Sequence, residues 1–323
     1  MRVLVTGAAG FIGGAVTDTL AAAGHQVTAL VRSERSCPQF APGVEVIAAD
    51  LVDVHELEVA RLDRGFDAVC HLAALTRVRE SQYDPLRYFA VNVTGTVNLL
   101  RLLERGTEVC GIAPVVVLGS TCAVYGVPEI QPIPETAPQA PTHPYGASKL
   151  AAEQIVVHQA ATGGIGAVVL RSFNVAGAAG RHADNDQSRI IPAALAVASG
   201  RSELFHVNGD GAVIREYVHV ADMAEAYLAA LDAVRPGRSK VFNVGTGVGV
   251  SVVDVLDAVE RVTGRALRRV HRPPAAEPPV LVADSDRIRV ELGWQCTRST
   301  IDRIVADAWD AATSRASANA TSR

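Results

Sequence analysis

Lysine is almost missing from this chain, with 2 Lys against 28 Arg in 323 residues. Aromatic residues make up only 5% and charged residues 20%, the net charge is −4, and basic runs interleaved with aromatics are lacking. Those absences exclude the electrostatic footprint of a nucleic-acid-binding protein. The five cysteines (Cys37, Cys70, Cys110, Cys122 and Cys296) are odd in number, scattered and without a CxxC pair. That pattern speaks against a disulfide framework and a zinc site, and a reducing compartment is the simplest reading. His71, His143 and His219 have no carboxylate or histidine partner at ligand spacing, so they read as hydrogen-bonded structural histidines and no metal is expected. Long hydrophobic runs are also missing, and the chain opens on a strand, MRVLVTG, rather than on a basic and apolar leader. The expectation is a soluble, cytoplasmic protein without a membrane partner.

What is present is Ala, Val, Leu and Gly in a repeating order. Short apolar runs at Arg2–Thr6, Gln26–Val31, Val44–Ala48, Ala68–Leu72, Val115–Gly119 and Ala167–Arg171 alternate with helical stretches. This is the βαβ rhythm of a parallel sheet covered on both faces. The fold class is α/β: a Rossmann-type doubly wound sheet with a smaller C-terminal α/β substrate domain. Helices are predicted over Phe11–Ala23, closed by Gly24, from Pro85 to about Arg105 before Gly106, and from about Tyr145 to Gly163. The Pro85 helix and Leu150–Val157 are apolar on more than one side. Two coverings fit them, the sheet plus a neighbouring helix or the same helices of a second copy in a homodimer.

Beyond Asn174 the rhythm weakens. Residues 1–174 read as the dinucleotide domain, with a segment near 213–235 returning to it, and 175–323 as the substrate domain. There AGAAGRHADNDQS reads as a loop, RIIPAALAVASG as a short helix, and the Pro-rich stretch 272–279 as an extended surface loop. A tail helix is expected at Ile301–Ala312, with the small polar residues beyond Thr313 disordered.

Two patterns carry chemistry. Gly7, Gly10 and Gly13 follow a strand and lead into a helix, where glycines let a pyrophosphate approach the backbone N–H groups of the helix N-terminus. Tyr145 and Lys149 stand four apart in PYGASKLAAEQ, which puts both on one helical face. One of only two lysines sits here, and a lysine, unlike an arginine, adjusts its protonation to its surroundings. It is expected to lower the tyrosine pKa.

With these pieces in order, the chain resembles the NAD-dependent nucleotide-sugar epimerase/dehydratase family, the extended short-chain dehydrogenases/reductases, with a pattern nearest their hexose 4-epimerases. The resemblance spans nearly the whole chain: TGAAGFIGG, Asp50-Leu51, HLAAL, Asn92 in VNVTGT, STCAVYG, PYGASK, RSFNVAG, IREYVHVADMA and FNVGTG. It implies that Thr121, Tyr145 and Lys149 are catalytic. It further implies that Gly7, Gly10, Phe11, Ile12, Gly13, Arg32, Asp50, Leu51, Leu72, Ala73, Ala74 and Asn92 join Tyr145 and Lys149 around the cofactor, NAD. For the substrate it implies Thr76, Thr121, Asn174, Arg189, Arg215, Arg272 and Leu281, with a nucleotide-diphospho-sugar, UDP-linked, as ligand. Oxidising a sugar alcohol needs a base on its hydroxyl proton. A phenol titrating near ~10 must fall by roughly three units to serve near neutrality, about 4 kcal/mol of electrostatic help. Cys122 and Ala123 follow Thr121 where dehydratases and decarboxylases of the family carry acidic groups. Epimerisation at C4 through a transient 4-keto sugar is therefore expected, with an NADPH-dependent 4-ketoreductase as the alternative and a non-catalytic dinucleotide sensor disfavoured by the complete catalytic set.

The chain departs from the family pattern in two places. Val31 stands where an Asp holding the adenosine ribose is expected, and Arg32 and Arg35 follow it, which suggests NADP as the alternative cofactor. An Arg-x-Gly-Asp turn is replaced by Pro274-Ala275-Ala276-Glu277, leaving Arg272 or Arg189 to take over. The resemblance implies that Leu281 occupies a position where the family adjusts room for the sugar's 2-substituent.

Overall fold

The computed structural model describes residues 1–33 and 39–321. Arg35 and Cys37 lie outside them. In the first half, strands β1 (Arg2–Thr6), β2 (Gln26–Val31), β3 (Glu45–Ala48), β4 (Ala68–His71), β5 (Val115–Thr121) and β6 (Gly166–Ser172) run parallel in one sheet. β1, β4, β5 and β6 are buried almost throughout, which is why they read as continuous runs of Val, Leu and Ala rather than alternating ones. Between them lie α1 (Phe11–Ala22), α2 (Val54–Val59), α3 (Val78–Tyr83), α4 (Pro85–Phe89), α5 (Gly95–Cys110) and α6 (Pro144–Ala161).

The helix expected from Pro85 to Gly106 is built differently. One π-helical turn, Ala90–Thr94, joins α4 to α5, and the helix passes through Gly106 to Cys110. Gly106 is there for a close approach: a Cβ on it would lie 3.2 Å from the Asp63 carbonyl oxygen. The stop is Gly111, in the left-handed region at φ 69°.

The second half adds β7 (Asn174–Ala176), β8 (Ala178–Ala179), β9 (His182–Ala183), α7 (Ile190–Ala198), β10 (Phe205–Asn208), β11 (Ile214–Arg215), β12 (Tyr217–His219) and α8 (Val220–Ala230). β13 (Ser239–Val244), β14 (Val250–Ser251), α9 (Val252–Thr263), β15 (Arg269–Arg272), β16 (Val280–Leu281), α10 (Asp286–Leu292) and α11 (Ile301–Thr321) follow. The segment read as a loop after Asn174 holds the antiparallel β8–β9 hairpin, whose His182 bonds Asp18 of α1 at 2.9 Å. β13 is the seventh strand of the main sheet, in the order β13-β6-β5-β4-β1-β2-β3. Within the segment expected to return, α8 packs on α1. The tail is helical to Thr321 where disorder was expected beyond Thr313. Its alanines favour helix, which outweighs the small polar residues between them.

Strand order reverses between β1 and β4, so a crevice opens there at the carboxyl ends of the strands. One core lies under α1 and α8, a second under α5 and α6, and a third joins α7, α9 and α11.

Candidate active site

The glycine turn sits at that crevice. Gly7 follows β1 with φ 70°, and Gly10 caps α1, its N–H donating to the Gly7 carbonyl at 2.9 Å. A Cβ on Gly7 would lie 2.6 Å from Ala73 N, and one on Gly13 2.1 Å from Gly7 O, so neither position admits a side chain. α1 has no side-chain cap and no acidic residue in its first turn. Its open N–H groups and uncrowded approach fit the pyrophosphate of a dinucleotide. Phe11 and Ile12 anchor the turn on the core. Around the crevice, Leu72, Ala73 and Ala74 follow β4, and Val31 is buried while Arg32 is exposed at the end of β2. The Asp50 carboxylate accepts from Val52 N, and the Leu51 carbonyl accepts from Asn98 Nδ2.

A buried chain of hydrogen bonds connects this turn to α6. Ala73 N–H donates to Thr6 Oγ1, which bonds His71 Nδ1 at 2.7 Å. His71 Nε2 bonds Thr96 Oγ1 at 2.9 Å, and that hydroxyl donates to the Asn92 carbonyl at 2.7 Å. Thr96 has therefore used its proton, so His71 donates through Nε2 and accepts from Thr6 through Nδ1 as a neutral ring. Burial, with Lys149 nearby, holds the His71 pKa down to about 3. Asn92 lies in the π turn. It accepts from Leu75 N at 2.8 Å and donates to Leu75 O and to Ser148 Oγ, both at 3.0 Å. Ser148 in turn donates to the carbonyl of Tyr145.

Tyr145 and Lys149 lie on α6, which begins with His143 accepting from Gly146 N–H and Pro144 in the first turn. The Tyr145 ring stacks on His143, centroids 6.0 Å apart, and meets Tyr88 edge-on at 6.5 Å. Thr121 ends β5 and stands close enough to the phenol to favour its ionised form. The expected depression by Lys149 is not what the structure gives. Burial pushes the Tyr145 phenol up to about 12, opposed by Thr121 and by the Arg189 charge. The same burial pulls Lys149 down to about 8, with the Glu153 carboxylate opposing the shift. Lys149 acts on His71 because α6 presses its inner face against the sheet. Glu153, one turn further, pairs with Arg171 at 2.7 Å and takes a short bond from Ser120.

Among the residues expected around the nucleotide-sugar, β11 and β16 place Arg215 beside Leu281 in register. Leu281 and Cys122 pack against one apolar cluster with Phe173 and Tyr125. Arg215 is held by Glu277 and by the Ile214 carbonyl, each at 2.7 Å. Arg189 caps α7 without a side-chain bond, pairs with Asp184 at 3.1 Å and sends its charge toward Tyr145. Asn174 opens β7 and donates to the Glu216 carbonyl at 3.1 Å. The structure thus gathers Thr121, Tyr145, Arg189, Arg215, Asn174 and Leu281. Thr76 is exposed ahead of α3, and Arg272 is exposed on β15, which pairs with β10 in a separate small sheet. Glu216 is the residue that sequence reasoning missed, and its signal was a carboxylate inside the apolar strand REYVHV. Among the described residues, no group of three or more His, Cys, Asp or Glu side chains could hold a metal ion.

A glycine turn at the switch point, joined by buried hydrogen bonds to the helix that carries a tyrosine and a lysine on one face, defines a dinucleotide-binding α/β enzyme. The NAD dependent epimerase/dehydratase family matches residues 3–245, and the chain belongs to it. UDP-glucose 4-epimerase of Streptomyces lividans is 40% identical over 320 residues, 96% of this chain and 95% of that protein. UDP-glucose 4-epimerase of Azospirillum brasilense is 39% identical, over 95% and 90%. Among solved structures, the chain is similar to UDP-glucose-4-epimerase from Stenotrophomonas maltophila with bound NAD and formylated UDP-arabinopyranose. The TM-score is 0.88 and the identity 32%, covering 98% of this chain and 99% of that one.

Proposed function

We propose that this enzyme inverts C4 of a nucleotide-diphospho-hexose, carried on UDP, through a transient 4-keto sugar with NAD held at the glycine turn. The observation that carries the reading is the meeting of Thr121 and Tyr145 at the end of β5, with Cys122 and Ala123 beside them in place of acidic groups. Cys122 is a free thiol pushed up to about 12 by burial, too weak an acid to serve elimination chemistry. Bound NAD supplies a reversible two-electron acceptor and a positive ring. Tyr145 takes the proton from the C4 hydroxyl and returns it when the ketone is reduced, while Thr121 orients that oxygen. Arg189 supplies positive charge that favours the phenolate, and the Lys149 ammonium is assigned to the bound cofactor. Arg215 offers a two-pronged donor to the diphosphate. The chemistry consumes no external reductant.

We assign residues 1–174 to the cofactor and 175–323 to the nucleotide-sugar, with α8 and β13 returning to the first part. The UDP-sugar is the small-molecule partner. Two copies pair through the helices from α4 to α6, where Leu86 and Phe89 are exposed. Cys70, Cys110, Cys122 and Cys296 are free thiols, which suits the reducing cytoplasm.

The test is to incubate purified enzyme with UDP-galactose, adding no cofactor, and to follow C4 configuration by NMR. Conversion to UDP-glucose is expected, and Tyr145→Phe should lower the rate by about 10²–10⁴-fold while retaining bound cofactor. Product formed only when NADPH is supplied would overturn the epimerase reading.

A further inference from the structure

We propose that Glu216 is a positioning residue for the nucleotide-sugar, its carboxylate locking together the segments that carry Arg215 and Leu281 while its carbonyl holds Asn174. The inference rests on the reading of those three residues as the substrate side of the site. Glu216 is fully buried between Arg215 and Tyr217. Its Oε1 accepts from Ala283 N–H at 3.0 Å, two residues beyond Leu281. Its Oε2 accepts from Gly247 N–H at 2.8 Å and from the Thr246 hydroxyl at 3.2 Å, in the loop after β13. Its backbone carbonyl accepts from the Asn174 side chain at 3.1 Å.

The surroundings are shaped for the carboxylate. A Cβ on Gly245 would lie 2.1 Å from Oε1, so only glycine leaves the space. The neighbouring guanidinium does not neutralise it, because Arg215 is engaged by Glu277 and the Ile214 carbonyl. A buried carboxylate satisfied by backbone N–H groups and one hydroxyl is expensive to keep. Burial holds its pKa up to about 7 in spite of those donors. Perturbed buried acids of this kind concentrate at functional sites. The charged and titratable groups around it are Arg215 beside it in the chain, Glu277 beyond Arg215, Arg289 of α10, which donates to the Thr246 carbonyl at 2.7 Å, and Cys122 from the turn after β5, whose thiol feels both Glu216 and Arg215. All of its side-chain bonds go to the substrate side and none to the chain that links His71, Asn92 and Ser148. Loss of the carboxylate should therefore loosen nucleotide binding and leave the cofactor in place.

The experiment is a calorimetric titration of the cofactor-loaded enzyme with UDP, comparing wild type with Glu216→Gln and Gly245→Ala. Each variant is expected to bind UDP at least about 10-fold more weakly with unchanged cofactor occupancy. The double variant should be no weaker than either single one, since both remove one shared contact set. UDP affinity of the wild type should fall from pH 8 to pH 6 more steeply than that of Glu216→Gln, and the ionisation of UDP itself is common to both. Wild-type affinity in Glu216→Gln, or a parallel loss of cofactor, would overturn the inference. If Glu216→Gln does not fold, Thr246→Val, which removes one donor only, decides by the same two readouts. UDP binding without C4 conversion would sink the proposed reaction and leave this inference standing. A wild type that does not bind UDP would sink both.

Discussion

At the scale of single residues, Lys149 is a buried ammonium close to its own titration point. Burial has moved it from an ordinary 10.5 to about 8, and Glu153 is the carboxylate that keeps it from falling further. The consequence for folding and the consequence for turnover have opposite signs. Between pH 8 and 10.5 the unfolded chain binds this proton more tightly than the folded one, so Lys149 makes stability rise with pH across that window. The proposed catalysis needs the charge and should fade above about pH 8. A rate that declines there while the urea midpoint does not would separate loss of charge from unfolding. In Lys149→Arg, whose guanidinium stays charged, the residual activity should lack that alkaline limb. Thr121, Tyr145 and Lys149 were legible as candidates in the sequence because two ordered motifs, STCAVYG and PYGASK, carry them. The state of the phenol was not, because four-residue spacing gives a shared face and says nothing of the desolvation that dominates it. Glu216 was not legible either, since its partners lie in segments up to 67 residues away.

At the scale of elements, the π turn Ala90–Thr94 puts Asn92 where it can bond both the chain after β4 and the hydroxyl of Ser148 on α6. π turns of this kind recur where a helix must present one side chain out of phase. Asn92→Ala would remove the acceptor of the Leu75 N–H and the donor to the Leu75 carbonyl and to the Ser148 hydroxyl. The expected loss is about 1–3 kcal/mol in denaturant unfolding, accompanied by reduced cofactor content in the purified protein. Unchanged cofactor content would refute the role of this turn in holding the site. Strands β1, β4, β5 and β6 were readable because each is buried almost throughout and so unbroken in its apolar run. The π turn was not readable, since apolar periodicity through Leu86, Phe89 and Val93 continues across it. Gly106 misled for a physical reason: glycine ends helices, but it also permits close packing, and here Asp63 occupies the space.

At the scale of the whole molecule, the helices from α4 to α6 cover one face of the sheet and still expose Leu86 at 81% and Phe89 at 39%. Exposed apolar side chains beside a packed helical layer suit a second copy of the same layer. Sedimentation should show a dimer for the wild type and a monomer for Leu86→Glu combined with Phe89→Glu. A monomeric wild type would refute the pairing. The small sheets of the second half, two or three strands each, left little periodic signal, and their assignment depends on contacts that only the folded chain reveals.

β13 pairs with β6 along Ser239–Val244, opposite Ala167–Ser172, and does so from beyond the elements β7 to α8 that lie between them in the chain. The two halves of this enzyme are in that sense sewn into each other. A ribosome must have released residue 244 before the first sheet can acquire its last member, and a chain cut near Asn174 would present β6 as a bare adhesive border. Such a fragment should clump rather than survive as a minimal cofactor carrier.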